Sequence, residues 1–225
     1  MQTPAERSLI DGLIDHLELR PDPPLLLNIG AGTSTMIEES LDAAGIRYIC
    51  DRLDVRDCGS VHPAIRTAYV ASVDSMPLPD DTYDVAFANY VLEHVEHIDA
   101  AAREIVRVLK SGGRFIVSTP NPRAPEFRLS GSTPFWFHEY ILDRFIHGAH
   151  PHETHYAYNS IAALSRMFCD AGLELVASDY HAETYCYLHR VPFVGPVSKA
   201  YDSIVMRSGA RTLMGNVCLT FEKQP

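Results

Sequence analysis

The chain of 225 residues lacks long apolar runs and has few basic residues for its size. No stretch of 18 or more apolar residues occurs, which excludes a membrane-spanning helix. The N-terminal segment carries several acids and has no basic stretch followed by an apolar one. We therefore expect no secretory signal, and a cytoplasmic location is the default.

Basic side chains are outnumbered, with 19 Lys and Arg against 29 Asp and Glu and a net charge of −10. No basic run of five or more residues occurs, so a nucleic-acid partner is disfavoured. The five cysteines are odd in number, scattered and never spaced as CxxC. This pattern argues against a disulfide framework or a thiolate zinc site and favours a reducing compartment.

What the chain does contain is an alternation of short apolar runs and amphipathic segments, with 46% hydrophobic residues overall. The patterns predict strands over 25–29, 47–50, 67–71, 83–88, 114–119, 173–177 and 212–222, and helices over 8–18, 36–44, 98–109, 160–171 and part of 190–209. Ser111-Gly112-Gly113 is predicted to stop one helix, and Asn159 or Ser160 to cap another. The alternation indicates a parallel α/β sheet. We expect a single domain, 1–225, with a cap-like insertion at about 122–158.

A glycine loop follows the first strand of this sheet. Leu25–Ile29 leads into Gly30-Ala31-Gly32 and then a helix, an arrangement that lets the backbone approach a ligand and offers free N–H groups. Asp51 directly follows the next apolar strand, where a ribose-binding acid is expected. Asp54 and Asp57 follow closely in DRLDVRD, and either could be that acid if the strand ends later. The third glycine of GxGxxG is absent, which weakens a dinucleotide interpretation.

Three stretches together resemble one enzyme family. They are LLNIGAGTS at Leu26–Ser34, SVDSMPLPDDTYDVAFANYVL at Ser72–Leu92, and EHVEHIDAAAREIVRVLKSGGRFIVSTPN at Glu93–Asn121. In this order and spacing the chain resembles a class I S-adenosylmethionine-dependent methyltransferase of the small type related to the ubiquinone and menaquinone methyltransferases. The resemblance implies a Rossmann-like fold: a mostly parallel seven-stranded sheet, helices on both faces and a cap insertion after the fifth strand.

The resemblance also implies a site for S-adenosyl-L-methionine, with S-adenosyl-L-homocysteine as the product. Asp51 would accept the ribose hydroxyls, with Arg52 flanking the adenine. The other implied residues lie beneath the methionine and ribose (Asn28, Gly30, Ala31, Gly32), at the adenine edge (Ser72, Val73) and at the methionine end (Asn89, Tyr90). The chain departs from the family at Asn28 and Ser72, where acids are usual, and at Ser34, where glycine is usual.

The segment 134–158 is rich in histidine and aromatic residues, and it would lie over the ligand-binding edge of the sheet. A neutral imidazole suits a general base that takes a proton from a hydroxyl acceptor. His155 and His152 are the leading candidates for this catalytic role, followed by His138. The HxHxxH spacing would also allow a metal site, but we expect no metal there. The histidines could instead hold loops by hydrogen bonds.

The function we expect is methyl transfer to a small molecule, with oxygen favoured over nitrogen or carbon because of the histidines. The aromatic cap suggests an acceptor with a flat or apolar face, such as a phenol. A protein or other macromolecular acceptor is one alternative, and a cofactor-binding module without catalysis is another. The exposed cap also offers a surface for a homodimer.

Overall fold

Seven strands form one sheet in a computed structural model that describes residues 2–18, 22–59, 62–125, 157–189 and 193–225. They are β1 (Leu25–Ile29), β2 (Ile49–Asp54), β3 (Ile65–Val70), β4 (Tyr83–Asn89), β5 (Leu109–Pro120), β6 (Leu173–His181) and β7 (Asn216–Lys223). Their spatial order is β3-β2-β1-β4-β5-β7-β6. β7 runs antiparallel to both of its neighbours, and the other pairs are parallel. The predicted mostly parallel seven-stranded sheet is confirmed.

Six α-helices accompany the strands in the part of the chain that the structure describes. They are α1 (Pro4–Leu17), α2 (Met36–Ala43), α3 (Ile98–Val108), α4 (Ile161–Ala171), α5 (Thr184–Leu188) and α6 (Val194–Ser208). Two short 3₁₀ turns lie at Leu92–His94 and Arg211–Leu213. None of the described helices is long and apolar enough to span a bilayer.

Helices cover both faces of the sheet, as predicted. The apolar sides of α1 and α2 share one core with inward residues of β1 and β4 such as Leu26 and Phe87. On the opposite face, α3 and α4 pack against a larger core that includes Phe115 and Phe221. Burial on both faces explains why the central strands are nearly continuous apolar runs.

Among the element boundaries that differ from the sequence prediction, those of β2 and β5 change the interpretation of particular residues. β2 was predicted to end at Cys50, but it continues to Asp54 because its polar residues are buried by partners from other elements. β5 begins at Leu109, so Ser111-Gly112-Gly113 lies inside the strand rather than ending a helix. The register of β5 on β4 shifts at this point, as in a bulge: Tyr83 opposes Leu109, whereas Val85 opposes Arg114.

The order of the strands fixes where a ligand can bind. β1 is followed by β2 on one side, and the chain then crosses to β4 on the other side. In open α/β sheets the crevice at such a reversal, outside the carboxyl ends of the strands, is the usual ligand site. Most of the predicted cap insertion (residues 126–156) lies outside the described residues.

Candidate functional site

A cleft of about 730 Å³ opens where β1, β2 and β4 end. Its walls come from four loops, within residues 29–33, 53–57, 71–74 and 90–97. These loops follow β1, β2, β3 and β4 in turn, so one edge of the sheet supplies the whole lining. The volume lies within the range of roughly 300–1,000 Å³ that is usual for small-molecule sites.

The glycine loop forms one wall of the cleft and is hydrogen-bonded to β2. The carbonyl oxygen of Leu53 accepts hydrogen bonds from the N–H groups of Gly30, at 2.7 Å, and Ala31, at 3.3 Å. Gly30 has a φ of +66°, and a Cβ at this position would overlap the side chain of Val91. Only glycine therefore permits the loop after β1 to pass so close to the segment after β4.

Asp54 is the acidic residue that the structure places at the glycine loop. One of its carboxylate oxygens accepts the Gly32 N–H at 2.9 Å, and the other accepts the Arg56 N–H at 2.9 Å. Asp54 ends β2 and lines the cleft, as does Asp57 three residues later. The sequence pattern DRLDVRD had offered Asp54 as an alternative position for the ribose acid.

The structure places Asp51, the residue preferred from the sequence, away from the cleft. Its side chain is fully buried, with Oδ1 3.0 Å from Nε of Arg66 and Oδ2 2.8 Å from the hydroxyl of Tyr83. Because β2 continues to Asp54, Asp51 occupies the middle of the strand. The preference for Asp51 assumed a strand that ended at Cys50, four residues too early.

Arg52 and Asn28 also take up positions outside the cleft lining. Both side chains are buried and meet Glu38 of α2. Oε1 of Glu38 accepts a hydrogen bond from Nε of Arg52 at 3.0 Å and from Nδ2 of Asn28 at 2.9 Å. Arg52 therefore has its guanidinium bound within the fold instead of flanking an adenine, because a buried guanidinium needs this carboxylate.

Half of the ten predicted cofactor residues line the cleft, namely Gly30, Gly32, Ser72, Val73 and Tyr90. Ala31 is buried beside them without lining the cleft. Asn89 turns inward, since its Nδ2 donates to Oε1 of Glu6 at 3.2 Å and its Oδ1 accepts the hydroxyl proton of Ser118.

Tyr90 connects the cleft to a buried group of polar side chains. Its hydroxyl lies 3.3 Å from Oγ1 of Thr3 and 3.4 Å from Oε2 of Glu183. Glu183 is 1% exposed, and it also accepts hydrogen bonds from the Ala5 N–H and from Nδ2 of Asn216. Burial raises the pKa of the Glu183 carboxyl. Tyr90 has a φ of +56°, a left-handed backbone conformation that is uncommon for a tyrosine and frequent at functional sites.

Glu93 is a second buried carboxyl near this edge of the sheet. It lies in the 3₁₀ turn after β4, and burial raises its pKa to about 7. The hydroxyl of Thr119 lies 3.4 Å from Glu93 Oε2 and 2.6 Å from the hydroxyl of Tyr158. The side chain faces the end of β5 and the segment just before α4.

The catalytic candidates His138, His152 and His155 lie outside the described residues, so their roles stay predictions. Within the described ranges, no three His, Cys, Asp or Glu side chains converge as metal ligands. Two other histidines, His94 and His97, line the cleft. Sequence analysis missed Glu183 and Asn216, because they lie about 90 and 125 residues beyond Tyr90 along the chain and carry no local motif.

Comparisons with known proteins support a single family. A profile described as a methyltransferase domain matches residues 1–178. A malonyl-[acyl-carrier protein] O-methyltransferase from Methylococcus capsulatus is 33% identical over 53% of this chain and 44% of its own length. A ubiquinone/menaquinone biosynthesis C-methyltransferase from Burkholderia cenocepacia is 32% identical over 41% of each chain. The chain thus spans less than half the length of either relative.

A solved structure supports the fold over nearly the whole chain. Geranyl diphosphate C-methyltransferase from Streptomyces coelicolor, crystallised with Mg²⁺, geranyl diphosphate and S-adenosyl-L-homocysteine, superposes with a TM-score of 0.60 at 17% identity. The match covers 97% of this chain and 79% of that one. The seven-stranded sheet with its antiparallel β7, and the cleft at its carboxyl edge, have the class I, Rossmann-like fold of methyltransferases. By the profile match, the chain belongs to the methyltransferase domain family.

The cleft fits the cofactor of this class. S-Adenosylmethionine carries a sulfonium and an ammonium against one carboxylate, so its net charge is positive. The lining carries four carboxylates, at Asp54, Asp57, Asp74 and Glu96, and one guanidinium, at Arg56. Complementary charge raises the local concentration of such a ligand and helps to orient it.

Proposed function

We propose that this chain transfers a methyl group from S-adenosylmethionine to a small-molecule acceptor, most favourably to an oxygen. The observation that carries the proposal is the position of Asp54, whose carboxylate meets the glycine loop at the cleft through the Gly32 N–H. A carboxylate with both oxygens held by backbone N–H groups is fixed in direction and still has lone pairs for the two ribose hydroxyls.

The described residues would bind and orient the cofactor rather than react with it. The bound cofactor supplies an electrophilic methyl group on sulfur. Asp54 would hold the ribose, Ser72 and the backbone N–H of Val73 would meet the adenine edge, and the loop at Gly30 would lie beneath the methionine. Tyr90 would face the methyl group. Alignment for an in-line displacement can contribute several kcal/mol, on the order of the 7–11 kcal/mol that effective molarities allow.

Oxygen as the accepting atom is proposed from the histidines of the 134–158 segment. A hydroxyl must lose its proton as it attacks, and His155, His152 or His138 would take that proton. Full turnover by a His155→Ala variant would show that His155 is not the general base. The same test applies to His152 and His138. The aromatic residues of the segment, including Trp136, favour an acceptor with a flat apolar face.

The test is calorimetric titration with S-adenosylhomocysteine. We expect micromolar binding that weakens at least tenfold in Asp54→Asn, a loss of about 1.4 kcal/mol. Asp57→Asn is the matched control, because Asp57 lines the same cleft but its Oδ1 accepts only the Gly59 N–H, at 3.0 Å. Asp51→Asn should bind S-adenosylhomocysteine as the wild type does. Absence of binding to the wild type would refute the proposal.

A macromolecular acceptor is the second candidate, and one relative favours it. The Methylococcus capsulatus protein is named for an acceptor carried on acyl-carrier protein. Labelled methyl that appeared in the protein fraction of a lysate, and not in the small-molecule fraction, would support this candidate over the first.

A further inference from the structure

Most of the buried polar atoms that lack a partner gather in one place. Four side-chain atoms of the described residues are buried without a hydrogen bond: Glu38 Oε2, His181 Nε2, Thr184 Oγ1 and Asn216 Oδ1. Three of these belong to the last residue of β6, the first residue of α5 and the first residue of β7. His181 lies directly opposite Asn216 in the β6–β7 register. We call Glu183, His181 and Asn216 the edge cluster.

The hydrogen bonds of Asn216 show which of its polar side-chain atoms lacks a partner. Its Nδ2 donates to Oε2 of Glu183 at 2.8 Å, and this bond fixes the orientation of the amide. Oδ1 of Asn216 is therefore an acceptor without a donor, on a residue that is 1% exposed. An unsatisfied buried polar group destabilises the folded state, so such an atom is expected to have a partner in the working protein.

The edge cluster lies one side chain away from the cofactor cleft. Asn216 opposes Pro120, at the carboxyl end of β5, and His181 ends β6, which runs parallel to β5. Both residues are therefore at the ligand-binding edge of the sheet. The hydroxyl of Tyr90 is 3.4 Å from Oε2 of Glu183, and Tyr90 also lines the cofactor cleft. A molecule held by the cluster would lie next to the cofactor.

The charges around the edge cluster select the kind of ligand. Glu183 and Glu6 interact electrostatically with each other, and Asp179 and Arg7 both act on His181. Tyr187 is 41% exposed, but its hydroxyl interacts with Glu183 and with the side chain of Asn216, and desolvation of that hydroxyl raises its pKa. Three carboxyl groups against one guanidinium disfavour an anion. Oδ1 of Asn216 lacks a donor, so a ligand that binds it must donate a hydrogen bond.

We propose that the edge cluster is the polar end of the methyl-acceptor site. It would take an acceptor that is neutral or positively charged and that donates a hydroxyl or amino hydrogen to Oδ1 of Asn216. The inference rests on the proposed function, because it assumes that the neighbouring cleft holds the cofactor. It adds the substrate class, which the cofactor site by itself does not determine.

Three probes that share one phenol ring test the charge preference. Tyrosol ends in a neutral hydroxyl, tyramine in an ammonium and 4-hydroxyphenylacetate in a carboxylate. Each is titrated by calorimetry into the full chain saturated with S-adenosylhomocysteine. We expect tyrosol and tyramine to bind at least tenfold more tightly than 4-hydroxyphenylacetate.

Glu183→Gln tests the role of Asn216. The amide introduced by this substitution would keep an oxygen for the Ala5 N–H and could donate its NH₂ to Oδ1 of Asn216, which would turn Nδ2 of Asn216 toward the ligand. Tyrosol and tyramine should then bind at least tenfold more weakly, with unchanged affinity for S-adenosylhomocysteine. Glu174→Gln, at the far end of β6, is the matched control and should change neither affinity.

The outcomes separate this inference from the proposed function. If S-adenosylhomocysteine does not bind, the proposed function fails. If it binds but no probe does, or the anionic probe binds as well as the others, the acceptor-site inference fails alone. The inference also fails if Glu183→Gln leaves probe binding unchanged, or if a crystal structure shows Oδ1 of Asn216 closed off by an ordered water in the presence of tyrosol.

Discussion

At the residue scale, the cleft depends on one close backbone approach. Gly30 and Val91 belong to loops that follow β1 and β4, and their contact sets the distance between two walls of the cleft. Gly32 also has a positive φ, at +51°, but nothing lies within 4 Å of where its Cβ would be. Alanine substitutions at the two glycines therefore distinguish the cost of backbone strain from the cost of crowding by a neighbouring side chain.

Gly30→Ala should lower the free energy of unfolding by more than about 2 kcal/mol, because it adds overlap with Val91 to backbone strain. Gly32→Ala should cost only the strain, about 1–2 kcal/mol. Val91→Ala combined with Gly30→Ala should recover part of the loss, with Val91→Ala alone as the control. Urea denaturation measures all four variants. Equal losses for the two glycine variants would contradict the crowding argument.

The buried carboxyl of Glu93 predicts a pH dependence of stability. Its pKa is raised by burial from 4.5 to about 7 in the folded protein. Between these values the folded state binds more protons than the unfolded state, so the free energy of unfolding falls as pH rises. The fall attributable to Glu93 should total up to about 3 kcal/mol and end above pH 7.

Glu93→Gln isolates this effect, because the amide keeps the shape and does not titrate. The difference in unfolding free energy between wild type and Glu93→Gln should change between about pH 4.5 and 7, with the wild type losing stability relative to the variant. Denaturant titrations at several pH values measure it. A difference that stays constant from pH 4 to 8 would show that Glu93 titrates in the folded protein as it does in water.

At the scale of an element, α4 is defined by its caps. Asn159 and Ser160 were equivalent candidates for the N-cap in the sequence. In the structure Oγ of Ser160 accepts the Ala163 N–H at 3.2 Å, and Gly172 ends the helix with a φ of +116°. The structure therefore assigns the N-cap of α4 to Ser160.

Ser160→Ala should lower the free energy of unfolding by about 1 kcal/mol, because the helix loses its side-chain N-cap bond. Asn159→Ala is the neighbouring control and should have a much smaller effect, since Asn159 is exposed and makes only a 3.4 Å contact with the Ser160 hydroxyl. Thermal unfolding of both variants compares them. A larger loss of stability in Asn159→Ala than in Ser160→Ala would show that Ser160 is not the N-cap.

At the scale of the whole molecule, we propose that residues 1–225 form one cooperative domain that includes the insertion at about 122–158. α1 supports this view, because it packs on β5, β6 and β7 while its Thr3 and Glu6 reach the end of β4 at Tyr90 and Asn89. The N-terminal segment thus reaches the ligand-binding edge of the sheet.

Calorimetry should therefore show a single unfolding transition whose midpoint rises with ligand. S-Adenosylhomocysteine at 100 times its Kd adds about 2.7 kcal/mol, which corresponds to about 5–10 °C for a protein of this size. Asp54→Asn should show a smaller rise at the same ligand concentration. A second transition that ligand does not shift would indicate that the insertion unfolds separately.

The sequence by itself determined the class of fold, the order of most elements and the location of the glycine loop. These features depend on local patterns: apolar runs that are buried on both faces, helical periodicity, and glycines after a strand. The carboxyl edge of the sheet followed from the alternation of strands and helices. The expectation that Ser72, Val73 and Tyr90 lie at the site came instead from the resemblance to the methyltransferase family.

Only the tertiary structure decided which side chains face the cleft. Asp51 and Asp54 are both acids of the same strand, and the buried partners of Asp51 on other elements determine how far the strand continues. Glu183 follows β6 and Asn216 begins antiparallel β7, and the pairing of these two strands brings both residues to the edge where Glu183 meets Tyr90. Such contacts between distant parts of the chain have no local signature, since their energy comes from burial and pairing after folding.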